Sequence, residues 1–293
     1  MADFDPKHGE AVRIAPSIHR VTAPNVGPFT GAGTNTYLLG GDEVMIVDPG
    51  PDNEAHVAAV LKAVEGRTVT HLLITHTHRD HVGALAALKD ATGAPSVGEG
   101  RHRDARPLHP GETNPFLYAS DTDYAPDIVL ADKQVLANKD VSVEAVATPG
   151  HTANHLAFAV EGQCLSGDHV MGWSTTVIAP PDGSMRAYLA SLDRLLEDEH
   201  ATYLPGHGPA IDEPRKAVTA MRSHRLMRER AILERLVAGD RKVPEIVDVL
   251  YRGIDDRLKG AAGLSVLAHL EKLVEEGLVA ADTHGIDATF QPA

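Results

Sequence analysis

The sequence predicts an α/β layered fold followed by a smaller helical domain, and three observations carry that expectation. Short apolar strand patterns alternate with helical ones up to about residue 210, and the pattern then changes to helix upon helix. The charge divides at the same place: residues 1–210 carry a net −13 and residues 211–293 a net −1, out of −14 for the whole chain. Two chemically different domains are expected, 1–210 and 211–293.

The elements follow in order. Leu38 to Val47 (LLGGDEVMIV) and Val69 to Ile74 read as short buried strands, and Asp52 to Val64 between them as a helix preceded by Pro51. His81 to Lys89 reads as a second helix, and Val141 to Val146, Leu156 to Val160 and Tyr203 to Leu204 as further strands. Residues 100–131 show little periodicity and carry four prolines, so they read as a long surface excursion of the kind that often forms a lid. After Pro214, Arg215 to Val237 places Ala217, Met221, Leu226, Ile232, Leu233 and Leu236 at broadly helical spacing, with Gly239 as a stop. Pro244 to Leu250 and Leu264 to Val274 are two more helices, and Val279 to Phe290 a small hairpin. That order is the order of a winged helix.

Composition removes several classes of protein. Hydrophobic residues at 43% and charged residues at 23% make a globular chain and exclude global disorder. No apolar run approaches the roughly 18 residues of a membrane span. The acidic start MADFDPKHGEAVRIAP lacks a signal peptide's basic and apolar regions, so a cytoplasmic location is expected. The single cysteine, Cys164, cannot form an internal disulfide. A net −14 argues against a uniformly basic nucleic-acid binder, whereas 17 histidines point to metal chemistry.

The histidines concentrate in Thr75-His76-Thr77-His78-Arg79-Asp80-His81, directly after an apolar strand. Four ligands so close together cannot all face one ion from a helix, but a strand-to-helix turn can fan them toward two. Histidine-rich ligation favours zinc, iron or manganese over magnesium. Further candidates follow apolar runs at His151 (Thr-Pro-Gly-His), Asp168 (Leu-Ser-Gly-Asp) and His207 (Leu-Pro-Gly-His). Each follows a glycine, which lets the backbone approach a crowded centre.

With this order the chain resembles the metallo-β-lactamase superfamily, whose signature is His-x-His-x-Asp-His followed by a distant His, Asp and His. The resemblance implies an αββα sandwich with two divalent ions at one edge. His76, His78 and His151 would hold the first, Asp80, His81 and His207 the second, and Asp168 would bridge them. It implies hydrolysis by a hydroxide shared between ions about 3.5 to 4 Å apart, with a water pKa lowered toward about 7. Zinc comes first, with iron or manganese as alternatives. Asp80 would also orient the hydroxide, as the catalytic residue. Metal-bound imidazoles need their second nitrogen held, and Asp48 in Ile-Val-Asp-Pro-Gly matches a position of that kind, with a simple turn former as the alternative.

Gly33-Thr34-Asn35-Thr36-Tyr37-Leu38, HTHRDHVG, TPGHTANH, SGDHVMGWSTTVI, LPGHGP and AHLEKLVEEGLV make the chain similar to the beta-lactamase-like protein 2 group, which carries a C-terminal winged helix and includes a single-strand endoribonuclease. Secreted zinc β-lactamases fit less well, because they are exported and one class has a cysteine where Asp168 stands. Nucleases with a large inserted domain need more than the 55 residues between His151 and His207. Three readings stay open: cleavage of single-stranded RNA, hydrolysis of a small thioester, lactone or other ester as in glyoxalase II, and a non-catalytic nucleic-acid-binding or scaffold protein with structural metal.

Charge bears on the choice. Arg215, Lys216, Arg222, Arg225, Arg228 and Arg230, with only Glu229 among them, form a basic stretch that could hold phosphates or be a solvated face, and Arg101, Arg103 and Arg106 form a smaller cluster. The candidate recognition helix LSVLAHLEKLVEEG sets one lysine against three glutamates, so sequence-specific DNA reading is not expected; domain packing, substrate capping or a homodimer contact fits better. His155 and the pair Thr175 and Thr176 recur in the group's motifs as candidates to contact substrate or support the ligands. Trp173 lines the site or packs in the core, and His102 and His109 on the excursion could reach the site. His169 is expected to point away. His71 reads as a core residue, and His8, His19, His56, His200, His224, His269 and His284 as surface groups.

Overall fold

The structure, a computed structural model, describes residues 4–293. Two mixed sheets face each other. The first has seven strands in sequential order: β1 (Val12–Ala15), β2 (Ile18–Thr22), β3 (Asn35–Gly40), β4 (Glu43–Val47), β5 (Thr68–Leu73), β6 (Ser96–Gly98) and β7 (Ile128–Val129). It is antiparallel through β4 and parallel from β4 to β7. The second holds β8 (Val135–Ala137), β9 (Ser142–Ala147), β10 (Leu156–Val160), β11 (Gln163–Gly167) and β12 (Thr202–Pro205), with only β11 and β12 parallel.

Strand alternation explains the layers, since successive side chains point to opposite faces. Tyr37, Leu39, Met45, Val47 and Leu73 face inward and meet Val143, Leu156, Phe158, Leu165 and Leu204 of the other sheet. Leu38, Val44, Ile46 and Leu72 face outward beneath α1 (Glu54–Ala63) and α3 (Leu85–Thr92). Outward Val146, Ala157, Cys164 and Tyr203 of the second sheet lie beneath α4 (Met185–Leu195). Four layers result, helix, sheet, sheet, helix, as the resemblance implied.

At the C-terminal side, α5 (Pro214–Ala238), α6 (Val243–Leu250), α7 (Lys259–Glu275) and the hairpin β13 (Val279–Ala281) with β14 (Phe290–Pro292) share a core of Ile232, Leu236, Ile246, Val266, Leu270 and Phe290. This part does not stand clear of the sandwich, because Val218 of α5 and Ala268 of α7 pack into the cluster on the second sheet's outer face.

Several expectations change. LLGGDEVMIV is a hairpin, β3 turning into β4 at Gly41-Asp42. The helix expected over His81 to Lys89 is two, α2 (Arg79–Val82) and α3, because the Ala84 amide leaves the helical ladder to donate to the Gly50 carbonyl at 2.9 Å, beside a Gly83 so closely packed that a Cβ there would lie 2.6 Å from the Asp52 amide nitrogen. His56 and His269 are buried, where surface positions were expected. His56 Nε2 lies 2.9 Å from Thr36 Oγ1 and 3.1 Å from the Pro49 carbonyl, and His269 Nδ1 lies 3.2 Å from Glu229 Oε2. An apolar-periodicity reading cannot see burial of that kind, because the fold satisfies a polar group through partners distant in sequence. The residues 100–131 excursion keeps its irregular character, with one 3-10 turn at Leu117–Ala119 before β7.

Candidate metal centre

Loops at one edge of the sandwich bring the seven candidate ligands together. His76 and His78 lie on the turn after β5, Asp80 and His81 on α2, His151 after β9, Asp168 after β11 and His207 after β12. Chain ends of several strands are where α/β folds place binding residues, since the strands hold the loops rigidly. The donor atoms fall in two groups, His76, His78, His151 and Asp168, and Asp80, His81 and His207.

In the first group His78 Nδ1 stands 2.9 Å from His76 Nε2 and 3.0 Å from His151 Nε2. In the second, His207 Nε2 stands 3.3 Å from His81 Nε2, 3.2 Å from Asp80 Oδ2 and 3.3 Å from Asp168 Oδ2. Four donors about 2.0 to 2.1 Å from one tetrahedral ion are themselves about 3.4 Å apart, so the spacing is that of a ligand cage.

The outer nitrogens decide the tautomers. His151 Nδ1 donates to the Val177 carbonyl at 2.7 Å and His207 Nδ1 to the Gly33 carbonyl at 3.2 Å. His81 Nδ1 donates to Asp48 Oδ2 at 2.8 Å. Thr75 donates its hydroxyl to the same Asp48 oxygen at 2.8 Å, which leaves Thr75 Oγ1 to accept from His76 Nδ1 at 3.0 Å. With their outer positions protonated, neutral His76 and His151 present inner lone pairs toward His78 Nδ1. Ring nitrogens converging in a buried place in this way are an arrangement that a cation between them would satisfy. The pKa directions agree for the first group: burial lowers His76 well below the usual imidazole range, helped by His81 and His78, and lowers His78 to about 3, helped by His151. In the second group burial again opposes charge on His207, but the Asp168 and Asp80 carboxylates outweigh it and raise the ring to about 10. Burial would raise Asp168, yet His207 and His81 hold it well below the usual carboxylate range. Asp168 Oδ1 is nevertheless buried without a hydrogen-bond partner. Orphaned acceptors and inward lone pairs fit a pair of divalent ions.

The other expected residues fall into place unequally. Asp48 is buried at φ +52, a backbone state that Asp tolerates better than most residues, and accepts the Thr75 amide at 2.8 Å as well as the two bonds above. His155 lies against His76, with ring centroids 5.2 Å apart, accepts the Asp168 amide on Nε2 at 3.2 Å and meets Thr148 Oγ1 at 2.8 Å through Nδ1. Thr176 is buried and donates to the Asp168 carbonyl at 2.7 Å. Thr175 is exposed and among the described residues makes no side-chain bond to the cluster, so the threonine pair separates. His169 points away, against the Tyr188 ring. His102 reaches the site's margin, 3.0 Å from Thr77 Oγ1 and 3.4 Å from Asp182 Oδ1, whereas His109 stacks on His284 at 3.7 Å. Sequence reading missed Thr34, whose hydroxyl donates to Asp80 Oδ2 at 3.2 Å, although the Gly33 to Leu38 motif marked the segment. The glycines before the ligands are needed: a Cβ at Gly206 would lie 2.6 Å from Asp168 Oδ1 and 2.7 Å from His81 Cε1.

A cavity of about 170 Å³ opens over both groups, and its remaining wall is largely apolar: Phe29, Phe116, Tyr118, Met171, Val177 and Ala179. Phe116 and Tyr118 come from the excursion, which therefore does cover the site. The basic stretch of α5, in contrast, is mostly spent internally. Arg222 pairs with Asp193, Lys216 with Glu213 and Arg230 with Glu234. Arg215 donates to the Leu196 carbonyl, Arg225 to Thr176 and Arg228 to Leu250. Arg103 pairs with Glu99, and Arg106 with Glu112 and Glu271.

Comparison with known proteins bears on the family and the fold. The Metallo-beta-lactamase superfamily profile matches residues 29–207 and the Beta-lactamase associated winged helix domain matches residues 243–286. A Beta-lactamase-like protein 2 homolog of Drosophila melanogaster is 32% identical over 281 residues, 90% of each chain. An Atrochrysone carboxyl ACP thioesterase of Cryptosporiopsis sp. (strain 8999) is 28% identical over 92% of this chain and 83% of its own. Among solved structures, a Beta-lactamase domain protein from Burkholderia ambifaria superposes with a TM-score of 0.81 at 23% identity, over 100% of this chain and 96% of that one, which shows a common fold.

Proposed function

Because the chain belongs to the metallo-beta-lactamase superfamily and carries the associated winged helix, we propose that it is a dinuclear metallohydrolase that cleaves acyl esters, thioesters above all. The observation that carries the reading is the buried convergence of ring nitrogens and carboxylate oxygens in two adjoining groups. His76, His78 and His151 would hold one ion, Asp80, His81 and His207 the other, and Asp168 would reach both. Zinc is the ion such a set suits best, with iron or manganese as alternatives. When bound, the ions would supply hydroxide at neutral pH by lowering a water pKa toward about 7, and would polarise the scissile carbonyl.

The chain's own residues do the rest. Asp48 and Thr75 hold the outer nitrogens of His81 and His76 and so aim the inner ones at the places of the ions. His155 and Thr176 fix the Asp168 backbone. Asp80 is steadied by Thr34 and accepts a proton of the attacking water at its carboxylate, orienting it. Phe29, Phe116, Met171 and Val177 exclude water and receive an acyl chain. No nucleophilic serine or cysteine is required; Cys164 is buried among the apolar residues under α4, and burial pushes its thiol up to about 12.

An acyl substrate is favoured over RNA by the largely apolar wall of the cavity over the cluster, which suits an acyl chain better than a polyanion. The thioesterase name of the Cryptosporiopsis relative supports the same class. The test is to load the purified protein with zinc and assay an acyl-thioester panel beside labelled single-stranded RNA, with Asp80→Ala, His81→Ala as control. Thioester turnover absent from the control supports the reading. RNA cleavage absent from the control, without thioester turnover, reverses it.

A further inference from the structure

A second cavity, of about 230 Å³, lies between residues 171–177 and helices α5 to α7, and it adjoins the cavity over the ligands through shared walls of Phe29, Met171 and Val177. Its composition is unusual for this protein. Arg225, Arg228 and His224 line it, and no acidic residue does, in a chain of net −14. Both guanidiniums lack a carboxylate partner among the described residues. Arg225 is 3% exposed, donates to the Thr176 carbonyl and lies 5.3 Å from the Tyr188 ring centre. Arg228 lies 4.2 Å from the Tyr251 ring centre and donates Nη1 to the Leu250 carbonyl at 3.0 Å. Arg228 Nε and Trp173 Nε1 are obligatory donors, and both are buried without an acceptor. Buried positive charge with unused donors is costly unless an anion completes it, and a guanidinium suits phosphate through its planar fork of donors.

We propose that this cleft binds a phosphate on the thiol half of the substrate, so that the substrate is a thioester of a phosphopantetheinyl thiol, the chemistry shared by coenzyme A and by carrier proteins. The inference rests on the thioester reading of the site. The acyl group occupies the apolar cavity with its carbonyl at the ligand cluster, and the thiol half runs past Met171 and Val177 to Arg228. Hydrolysis breaks the acyl C–S bond and forms a C–O bond from water. The bonding pair leaves on sulfur, which takes up one hydrogen of the attacking water; the carboxylic acid releases the other to solvent, and the thiol departs with its phosphate attached. The C-terminal helices thus recognise substrate, a task that sequence-specific DNA reading does not explain.

The experiment compares kcat/KM of the zinc-loaded full chain for one acyl group on pantetheine and on 4′-phosphopantetheine, with acyl coenzyme A and an acylated carrier protein as further arms. Wild type is expected to prefer the phosphorylated thiol at least tenfold, mainly through KM. Arg228→Gln should reduce that ratio toward one, and Arg228→Lys should restore part of it. Ser174→Asp, at an exposed position on the cleft wall, should reduce the ratio without disturbing the core. The last two arms then show which source of the arm is preferred. Equal kcat/KM for both thiols in wild type, or an unchanged ratio in Arg228→Gln and Ser174→Asp, overturns the proposal. Calorimetric titration with free 4′-phosphopantetheine separates the two readings: binding that Arg228→Gln abolishes, without turnover of any thioester, keeps the phosphate site and sinks the thioesterase. Displacement by single-stranded RNA rather than phosphopantetheine also overturns it.

Discussion

Asp48 shows how much of the centre depends on side chains that would not themselves touch an ion. It receives the His81 ring, the Thr75 hydroxyl and the Thr75 amide. Removing such a partner typically lowers metal affinity about 10- to 100-fold, so Asp48→Ala should weaken one of two zinc-binding steps by that factor in a competition titration, while the fold persists. Gly206→Ala should be harsher, because the new Cβ would strike Asp168 and His81 and neither can retreat from a packed edge; zinc content near one ion per chain or less is expected. At this scale the sequence was legible where spacing carries the chemistry: the order of His76, His78, Asp80, His81, His151, Asp168 and His207 anticipates the cluster. It was not legible where the partner comes from another loop. Nothing local predicts that Thr34 meets Asp80, or that His269 is buried on Glu229. Thr175 and Thr176 look equivalent in the chain, yet the backbone turns one inward and leaves the other in solvent.

Among the elements, the excursion over residues 100–131 is the one whose state controls access. Arg106 fastens it, donating to Glu112 at 2.7 Å within the excursion and bonding Glu271 of α7. The Arg106 hydrogen bonds hold the Glu112 carboxyl down at about 2, below its usual value near 4.5. Since the folded value is the depressed one, this contribution is complete above about pH 4.5 and is lost as pH falls toward 2. Arg106→Gln should therefore loosen the excursion at neutral pH much as acid does, and hydrogen exchange should rise across residues 100–120 in the variant while β3 and β4 stay protected. Unchanged exchange would mean that Phe116 and Tyr118 alone hold the cover. The winged-helix order was readable from periodicity and the Gly239 stop, but the occupation of α7 was not. Ten of its residues are buried, and Lys272 is engaged by Glu229 and Glu276, so most of the helix is committed to packing.

Across the whole molecule, apolar runs in β3, β4, β9 and β10 made the sandwich legible, while β1, β6 and β8 were too short or too exposed to announce themselves and β2, though mostly buried, carries His19, Arg20 and Thr22 in place of an apolar run. A division after residue 210 follows charge and pattern well but ignores packing: Val218, Met221 and Ala268 cover the outer face of the second sheet. A chain ending at residue 210 should accordingly be poorly soluble or unfold well below the full chain, checked by thermal denaturation of both. Zinc should raise the melting temperature of the full chain, and a chelator should reverse the rise, because binding to the folded state alone stabilises it. The charge now has a local meaning as well, since a strongly acidic chain keeps a cleft without acidic residues beside its candidate centre. The most direct test is turnover of an acyl thioester measured while metal-free protein is titrated with zinc. Activity should climb to a plateau at two ions per chain and be absent throughout in the Asp80→Ala, His81→Ala protein; a plateau at one ion, or no thioester turnover at two, would contradict the dinuclear thioesterase.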